Sequence, residues 1–392
     1  MPKRPPRSPP SSPIKPPERC PYCYSPNIRP KGRRLKKLES VRLYICRACK
    51  RRFTPGPRGV RNKTYPLGEI LDALTSYNRG YSLEEAARRL SSRYGHTINP
   101  TTISRWLSAY PGLTTYRRLR ARGRKLFAPA QLIRVVKLYH AQVYEFAYYR
   151  AKLAFLRDDT LDDHRKGDTK FAPLSDFLEN LSRTCPHELF RREEGARASK
   201  LPLDFLSLDR LVVTEKRNTA TDAAALIIPS VASNRDRHSR LQRFMLANDS
   251  VTVAVEVPIW LDEDDIAALE DKYRISILPR EPLDPKHPDA GHKPRHITGH
   301  IDFLQVRNGA IHILDYKPDA RTNKPIAQLT IYALALTRLV PGLRLFDIKC
   351  AWLNENCYNE FLPRLLLPQP KKKASWSAPV PPTTIKPALT PS

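Results

Sequence analysis

The stretch Ile297-Thr-Gly-His-Ile-Asp302-Phe-Leu-Gln-Val306-Arg-Asn-Gly309-Ala-Ile-His-Ile-Leu-Asp315-Tyr-Lys317 decides the fold of the C-terminal half of this chain. Apolar residues crowd both sides of Asn308-Gly309, and Asn-Gly between two such runs is a strong signal for a tight β-hairpin. Two strands are predicted, 297–306 and 310–317, the second closed by Pro318. Side chains alternate along a strand, so Asp315 and Lys317 share a face while Tyr316 points away. Pairing through the hairpin brings Asp302 beside Asp315. Two carboxylates and a lysine flanked by Ile311, Ile313 and Leu314 cost desolvation free energy unless a cation joins them. A hard divalent ion that prefers oxygen ligands, Mg2+ or Mn2+, would supply that charge. Taken alone, Asp-x-Lys at a strand end is a surface ion pair worth ~0–1 kcal/mol. The ordered neighbours change that reading.

Downstream, 326–336 has helical spacing that puts Gln328 and Tyr332, four apart, on one face. Upstream, 236–246 reads as a helix carrying His238, followed by a strand over 251–260 that carries Glu256. A last strand is expected at 345–353. Strands and helices alternate from about Leu203 to Pro363, which predicts an α/β domain with a mixed central sheet flanked by helices.

This order, with Gly299-His-Ile-Asp302, Leu314-Asp-Tyr-Lys317 and Gln328-x-x-x-Tyr332 in sequence, resembles the RecB-like branch of the PD-(D/E)xK nuclease superfamily. The resemblance spans about 235–353. It implies that Asp302 and Asp315 are metal-binding acids, Lys317 the catalytic lysine, and Gln328 with Tyr332 the helical signature of the branch. It further implies that His238 and Glu256 complete the metal site. Against this, His238 on an Arg-rich helix could be solvated, and Glu256 could pair with an arginine. Two departures stand out: the second acid is Asp, and Ile301 precedes Asp302 where the family usually has proline. The implied chemistry is phosphodiester hydrolysis by a metal-activated water, with Lys317 placing the water or stabilising charge in the transition state. Gln328 and Tyr332 would orient the lysine or touch the phosphate backbone. His300 shares the face of Asp302 by parity and is a weaker ligand candidate; with His287, His292 and His296 it reads as part of a polar loop. Some relatives carry a four-cysteine iron-sulfur staple, for which Cys185, Cys350 and Cys357 are too few.

The N-terminal half has a different character. Cys20-Pro-Tyr-Cys23 and Cys46-Arg-Ala-Cys49 are two C-x2-C knuckles, and together they complete the tetrahedral four-sulfur shell of a structural zinc. Around them lie Arg33, Arg34, Lys36, Lys37, Arg51 and Arg52, a density suited to phosphate contacts. Tyr81-Ser-Leu-Glu-Glu-Ala-Ala-Arg-Arg-Leu90 opens with the capping box Ser82/Glu85. A turn through Gly95 then leads to a helix at 101–107 with Ile103, Trp106 and Leu107 inward and Thr102, Ser104 and Arg105 near the outer face. An ordinary helical hairpin is the plain alternative; with the cysteine module upstream, a helix-turn-helix is the expectation. The tandem at 20–110 resembles the N-terminal DNA-binding regions of insertion-sequence transposases, which implies binding to double-stranded DNA.

Residues 128–156 are expected to form one long helix, since Leu132, Val135, Val136, Leu138, Tyr139, Val143, Phe146 and Ala147 recur at near-helical spacing. Residues 157–200 read as a polar hinge with short helices. The Pro-rich ends, 1–18 and 366–392, are expected to be disordered. The parts expected are thus a tail at 1–18, a zinc ribbon at 19–56, a helix-turn-helix at 64–112, a helical linker at 113–200, a nuclease domain at 201–365 and a second tail at 366–392. The formal charge of +29 divides between them. Residues 1–150 hold 33 basic and 7 acidic side chains, against 35 and 32 in 151–392.

No apolar run approaches the ~20 residues of a membrane span, and the Pro-rich start is not a secretory signal. The expectation is a cytoplasmic, nucleoid-associated, Mg2+-dependent DNA endonuclease of a mobile element or a defence system. It would need no small-molecule ligand, and a homodimer stays open. A non-catalytic transcriptional or transposition regulator with a degenerate nuclease fold, and an RNA-processing nuclease, are the alternatives.

Overall fold

Strands buried on both faces read as nearly unbroken apolar runs, and the longest such runs of this chain form the centre of its main sheet. A computed structural model describes residues 17, 19–55, 64–157, 169–191, 195–202, 204–228, 231, 234–278 and 294–368. Both Pro-rich tails, apart from a few boundary residues, lie outside the described residues, as do His287 and His292.

Three short strands come first: β1 (Ile28–Leu35), β2 (Ser40–Cys46) and β3 (Arg52–Phe53), paired antiparallel in that order. Four helices follow, α1 (Leu67–Asn78), α2 (Leu83–Tyr94), α3 (Pro100–Ala109) and α4 (Arg117–Leu126). Then come β4 (Ile133–Tyr139), β5 (Val143–Tyr149), α5 (Arg150–Leu156), α6 (Ala172–Thr184), β6 (Gly195–Arg197), β7 (Thr214–Glu215), α7 (Thr219–Ile227) and α8 (Asn234–Asn248). The remaining elements are β8 (Thr252–Leu261), α9 (Glu263–Tyr273), β9 (His296–Arg307), β10 (Ala310–Tyr316), α10 (Ile326–Leu339), β11 (Ile348–Leu353) and β12 (Tyr358–Phe361).

The main sheet is mixed and runs β4-β5-β8-β9-β10-β11-β12-β7, with β6 paired to β9. Asn308-Gly309 makes the β9–β10 turn with both residues at positive φ, as a two-residue hairpin of this type requires. The parallel pair β10–β11 is joined through α10, the crossover that parallel strands need. Leu329, Ala333 and Leu336 of α10 pack with Ile301, Ile313 and Trp352 on one face. Leu241 and Met245 of α8, with Ala224 of α7, pack with Val255, Phe303 and Leu314 on the other. The result is helices on both sides of a mixed sheet.

The long helix expected at 128–156 does not form. Its residues make the β4–β5 hairpin and then the short α5, so the region 113–200 is not a purely helical linker: β5 pairs with β8 and extends the main sheet. Val135, Val136, Tyr139, Val143, Tyr144, Phe146, Tyr148 and Tyr149 are β-branched or aromatic and favour strands. Their apolar spacing fits either period over so short a run, and composition was the better guide. At 345–353 the strand starts only at Ile348, after one turn of 3-10 helix.

The capping box forms as expected, Ser82 Oγ accepting from the Glu85 N–H while Glu85 accepts from the Ser82 N–H. Gly95 ends α2 in the left-handed conformation, where a Cβ would be strained. Ile70, Leu74, Ala86, Leu90, Ile103 and Trp106 form the small core of α1–α3. This helical unit is fastened to the main sheet unit by buried polar groups. The Asn78 amide donates to Asn248 Oδ1 at 2.7 Å and to the Leu113 carbonyl at 2.9 Å, while its oxygen accepts from the Thr115 N–H. Tyr149 donates its hydroxyl to the Asn78 carbonyl, and Arg240 pairs with Asp72.

Because Asn78 satisfies several buried groups at once, Asn78→Ala takes away the partner it gives the Thr115 N–H and the Leu113 carbonyl. A loss of about 1–3 kcal/mol per orphaned group is expected. Chemical denaturation of the full chain measures it; an unchanged midpoint and slope would show that the seam contributes nothing.

Candidate metal centre on the central sheet

The candidate site grows out of a fault in strand alternation. Across β8 and β9, Val255 pairs with Phe303 and Val257 with Ile301, so Glu256 lies opposite Asp302. Regular alternation would put 255 and 257 on one face. Instead Val255 and Phe303 pack on the α8 side, and Val257 and Ile301 on the α10 side. Glu256 has φ +50, in the left-handed region that β-strands do not use, and the alternation resets there. Such strain costs on the order of 1–3 kcal/mol and persists only where the surroundings impose it. On the next strand Leu314 pairs with Phe303, which brings Asp315 opposite Asp302. Three acids from three adjacent strands therefore converge where the two layers meet.

Helices supply the partners. His238 on α8 holds Asp302 with Nε2 2.8 Å from Oδ2, and the Tyr316 N–H donates to the same oxygen at 3.0 Å. Lys317 Nζ stands 2.9 Å from Asp315 Oδ2. On α10, Gln328 Nε2 donates to Asp315 Oδ1 at 3.3 Å and to the Tyr332 hydroxyl at 2.9 Å. Tyr332 fits because residue 299 is glycine: a Cβ there would come within 2.5 Å of the phenol ring. The seven C-terminal candidates, Asp302, Asp315, Lys317, Gln328, Tyr332, His238 and Glu256, are thus brought together. Gln242 was missed. It stands four residues after His238, on the same helix face, and donates to Glu256 Oε1 at 2.7 Å; that i, i+4 spacing was the available signal.

Three acids face two cationic side chains in this pocket, His238 and Lys317. Burial opposes the Asp302 charge, but His238 and the Tyr316 N–H outweigh it and hold Asp302 below the usual carboxylate range. Burial and then the Asp302 charge push Asp315 up to about 7, and the same two causes push Glu256 up to about 7. Burial disfavours a charged His238, yet Asp302, Glu256 and Asp315 together raise it to about 9. Lys317 is raised as well, its attraction to Asp315 exceeding its burial. Burial first, and then the charge of Asp302, keeps protons on these two acids near neutrality. The atoms of His238, Glu256 and Asp302 that could act as ligands lie within 4.8 Å of one another. Oxygen-rich donors that can give up their protons to an ion fit a hard divalent cation.

Two of the histidines read as part of a polar loop are placed elsewhere: His296 and His300 lie within β9, where strand pairing rather than loop polarity sets their surroundings.

In the N-terminal half, the Sγ atoms of Cys20 and Cys49 are 3.6 Å apart, as are those of Cys23 and Cys46. All four sulfurs lie within 4.8 Å of one another and could hold a zinc ion. A tetrahedral zinc with ~2.3 Å bonds puts its sulfurs ~3.8 Å apart, close to these separations. The residue after each knuckle, Tyr24 or Lys50, takes a positive φ that turns the chain back over the sulfurs. Arg33, Arg34, Lys37, Arg51 and Arg52 are exposed around this module, whereas Lys36 is partly covered and paired with Glu39. On α3, Ser104 and Arg105 are exposed and Thr102 is half-buried. Among the described residues no helix is long and apolar enough to cross a membrane. The chain matches no family model, no curated protein and no solved structure.

Proposed function

We propose that the chain is a Mg2+-dependent DNA endonuclease, its N-terminal modules gripping the duplex and its central sheet hydrolysing the phosphodiester bond. The observation that carries this reading is that Glu256, Asp302 and Asp315 stand opposite one another on three adjacent strands, with His238 against Asp302 and Lys317 against Asp315. A structural ion pair needs one acid and one base. Three acids that the protein's own two cations leave partly protonated can take a divalent cation in exchange for those protons.

Asp302, Asp315 and Glu256 would hold the ion, with His238 a fourth ligand once it gives up its proton. When bound, a divalent ion of this kind polarises a phosphoryl oxygen and acidifies a water. Lys317, kept charged by its acidic neighbours, is a compact cation able to hold that water or to steady charge on the phosphoryl oxygens. Gln328 locks the Asp315 carboxylate against rotation, and Tyr332 anchors Gln328 in turn. Tyr332 stays a neutral phenol, because burial and the two aspartates push its ionisation far up. The zinc module would act as a rigid folding unit whose basic residues contact phosphates, and α3 would present Thr102, Ser104 and Arg105 to the major groove. Counterion release by the exposed basic side chains would then give affinity that weakens with salt.

A nicking assay on supercoiled DNA with Mg2+ tests the reading. Asp315→Asn and Lys317→Met should each reduce cleavage about 100-fold or more while leaving DNA affinity within a few-fold. Equal absence of cleavage by wild type and variants on duplex, single-stranded and RNA substrates would leave a DNA-binding regulator instead. Preferential cleavage of RNA would reassign the substrate.

Cation affinity should also depend on pH. Below about 7 Asp315 and Glu256 hold protons, and up to about 9 so does His238; each proton competes with the ion. Affinity should therefore rise from pH 6 to 8 with proton release on binding. Titration calorimetry in two buffers of different ionisation enthalpy counts those protons. Affinity that is flat over this range, with none released, would contradict the assignment.

A further inference from the structure

We propose that the chain binds a second transition-metal ion, zinc, between the β4–β5 turn and the end of α6, held by His140 Nε2, Cys185 Sγ and His187 Nδ1. The proposal stands apart from the nuclease reading. His140 Nε2 lies 3.0 Å from His187 Nδ1 and 3.8 Å from Cys185 Sγ, and the three ligand atoms all fall within 4.8 Å of one another. With ordinary zinc bond lengths, a tetrahedral ion sets its nitrogens ~3.3 Å apart and nitrogen from sulfur ~3.6 Å apart. The three side chains already outline one face of such a shell.

Local structure explains how they meet. Pro186 stops α6, and the next residues fold into a tight turn in which the His187 N–H donates to the Cys185 carbonyl and the Leu189 N–H to the Pro186 carbonyl. Two potential ligands, two positions apart, are thereby presented together. His140 begins the turn after β4, its N–H donating to the Gln142 carbonyl. Arg191 draws the two segments together by donating twice to the Tyr139 carbonyl. The His140 ring is held flat against Phe190, with centroids 3.9 Å apart and planes 13° apart.

The other nitrogen of His140 is also accounted for. Nδ1 lies 2.9 Å from Nε2 of His300, whose ring is stacked on Tyr144 at 3.6 Å. A metal-bound imidazole keeps one N–H, and an outer partner that accepts it fixes both tautomer and ring orientation. His300 is placed to be that partner. Burial keeps the Cys185 thiol protonated in the absence of an ion, and once an ion displaces that proton a thiolate with two imidazoles suits zinc over the hard cations favoured by the carboxylate centre. Three protein ligands leave one position for water. The ion would tie the edge hairpin to the segment after α6 and, through His300, to the strand that carries Asp302.

Zinc content of the full-length protein, purified with zinc and dialysed against zinc-free buffer, tests this. Wild type should carry two zinc ions per chain. Cys185→Ala and His187→Gln should each carry one, Cys46→Ser one, and Cys46→Ser with His187→Gln none. Asp302→Asn should keep two, which excludes zinc held by the carboxylates. Cobalt substitution of Cys46→Ser supplies an independent readout: visible d–d bands and thiolate charge-transfer absorption should persist, and vanish on adding Cys185→Ala. One zinc in wild type, or two in both the Cys185→Ala and His187→Gln variants with native circular dichroism, would overturn the proposal.

Discussion

Three carboxylates placed side by side in a buried sheet set the terms for the rest of this structure. Asp302 is held below the usual carboxylate range, while burial and its charge push Asp315 and Glu256 up to about 7. Every element nearby answers that charge. The α8 helix brings His238 and Gln242, the end of β10 brings Lys317, and α10 brings Gln328. The positive φ of Glu256 belongs to the same account. Without the reset in alternation, one packed layer could not give way to the other at the point where the acids converge. Strain and incomplete neutralisation are both unfavourable for stability alone, which is why their coincidence argues for a site.

Much of this was legible in the sequence because the signals were local. Asn308-Gly309 fixed the hairpin, the hairpin fixed the face shared by Asp315 and Lys317, and the spacing of Gln328 and Tyr332 needed only a helix. The knuckle spacing likewise brought Cys20, Cys23, Cys46 and Cys49 together. What escaped was non-local. The run 128–156 satisfied a helical period, but its β-branched and aromatic residues find a partner in β8, more than a hundred residues downstream. His140, Cys185, His187 and His300 meet only once that hairpin joins the sheet; as isolated residues in sequence they carry no spacing signature. The positive φ of Glu256 has no signature either, because glutamate is not a residue that announces it.

The uneven charge of the chain acquires a physical division of labour. The basic excess lies in residues 1–150, where arginines and lysines stand exposed around the four-cysteine module and on α3 and α4. The nearly neutral remainder holds the acids that converge on the central sheet. The two are not independent bodies: Asn78, Thr115, Tyr149 and Asn248 join the helical unit to the sheet through buried hydrogen bonds. A polar seam of this kind costs desolvation unless every member is paired, so it specifies one docking geometry more strictly than an apolar contact would. Under the proposed function, that seam would hold the DNA-gripping helices in a fixed relation to the cutting centre.

The carboxylates form either a cation site, as proposed, or a structural ion-pair network. The most direct measurement is anomalous scattering from crystals of the full chain grown with Mn2+. A cation site should show a manganese peak within bonding distance of both Asp302 and Asp315, with Glu256 or His238 completing the shell and Lys317 turned from its acid toward solvent. Crystals that take up manganese elsewhere, or that show Lys317 and His238 still paired with the acids and no peak between them, would contradict it.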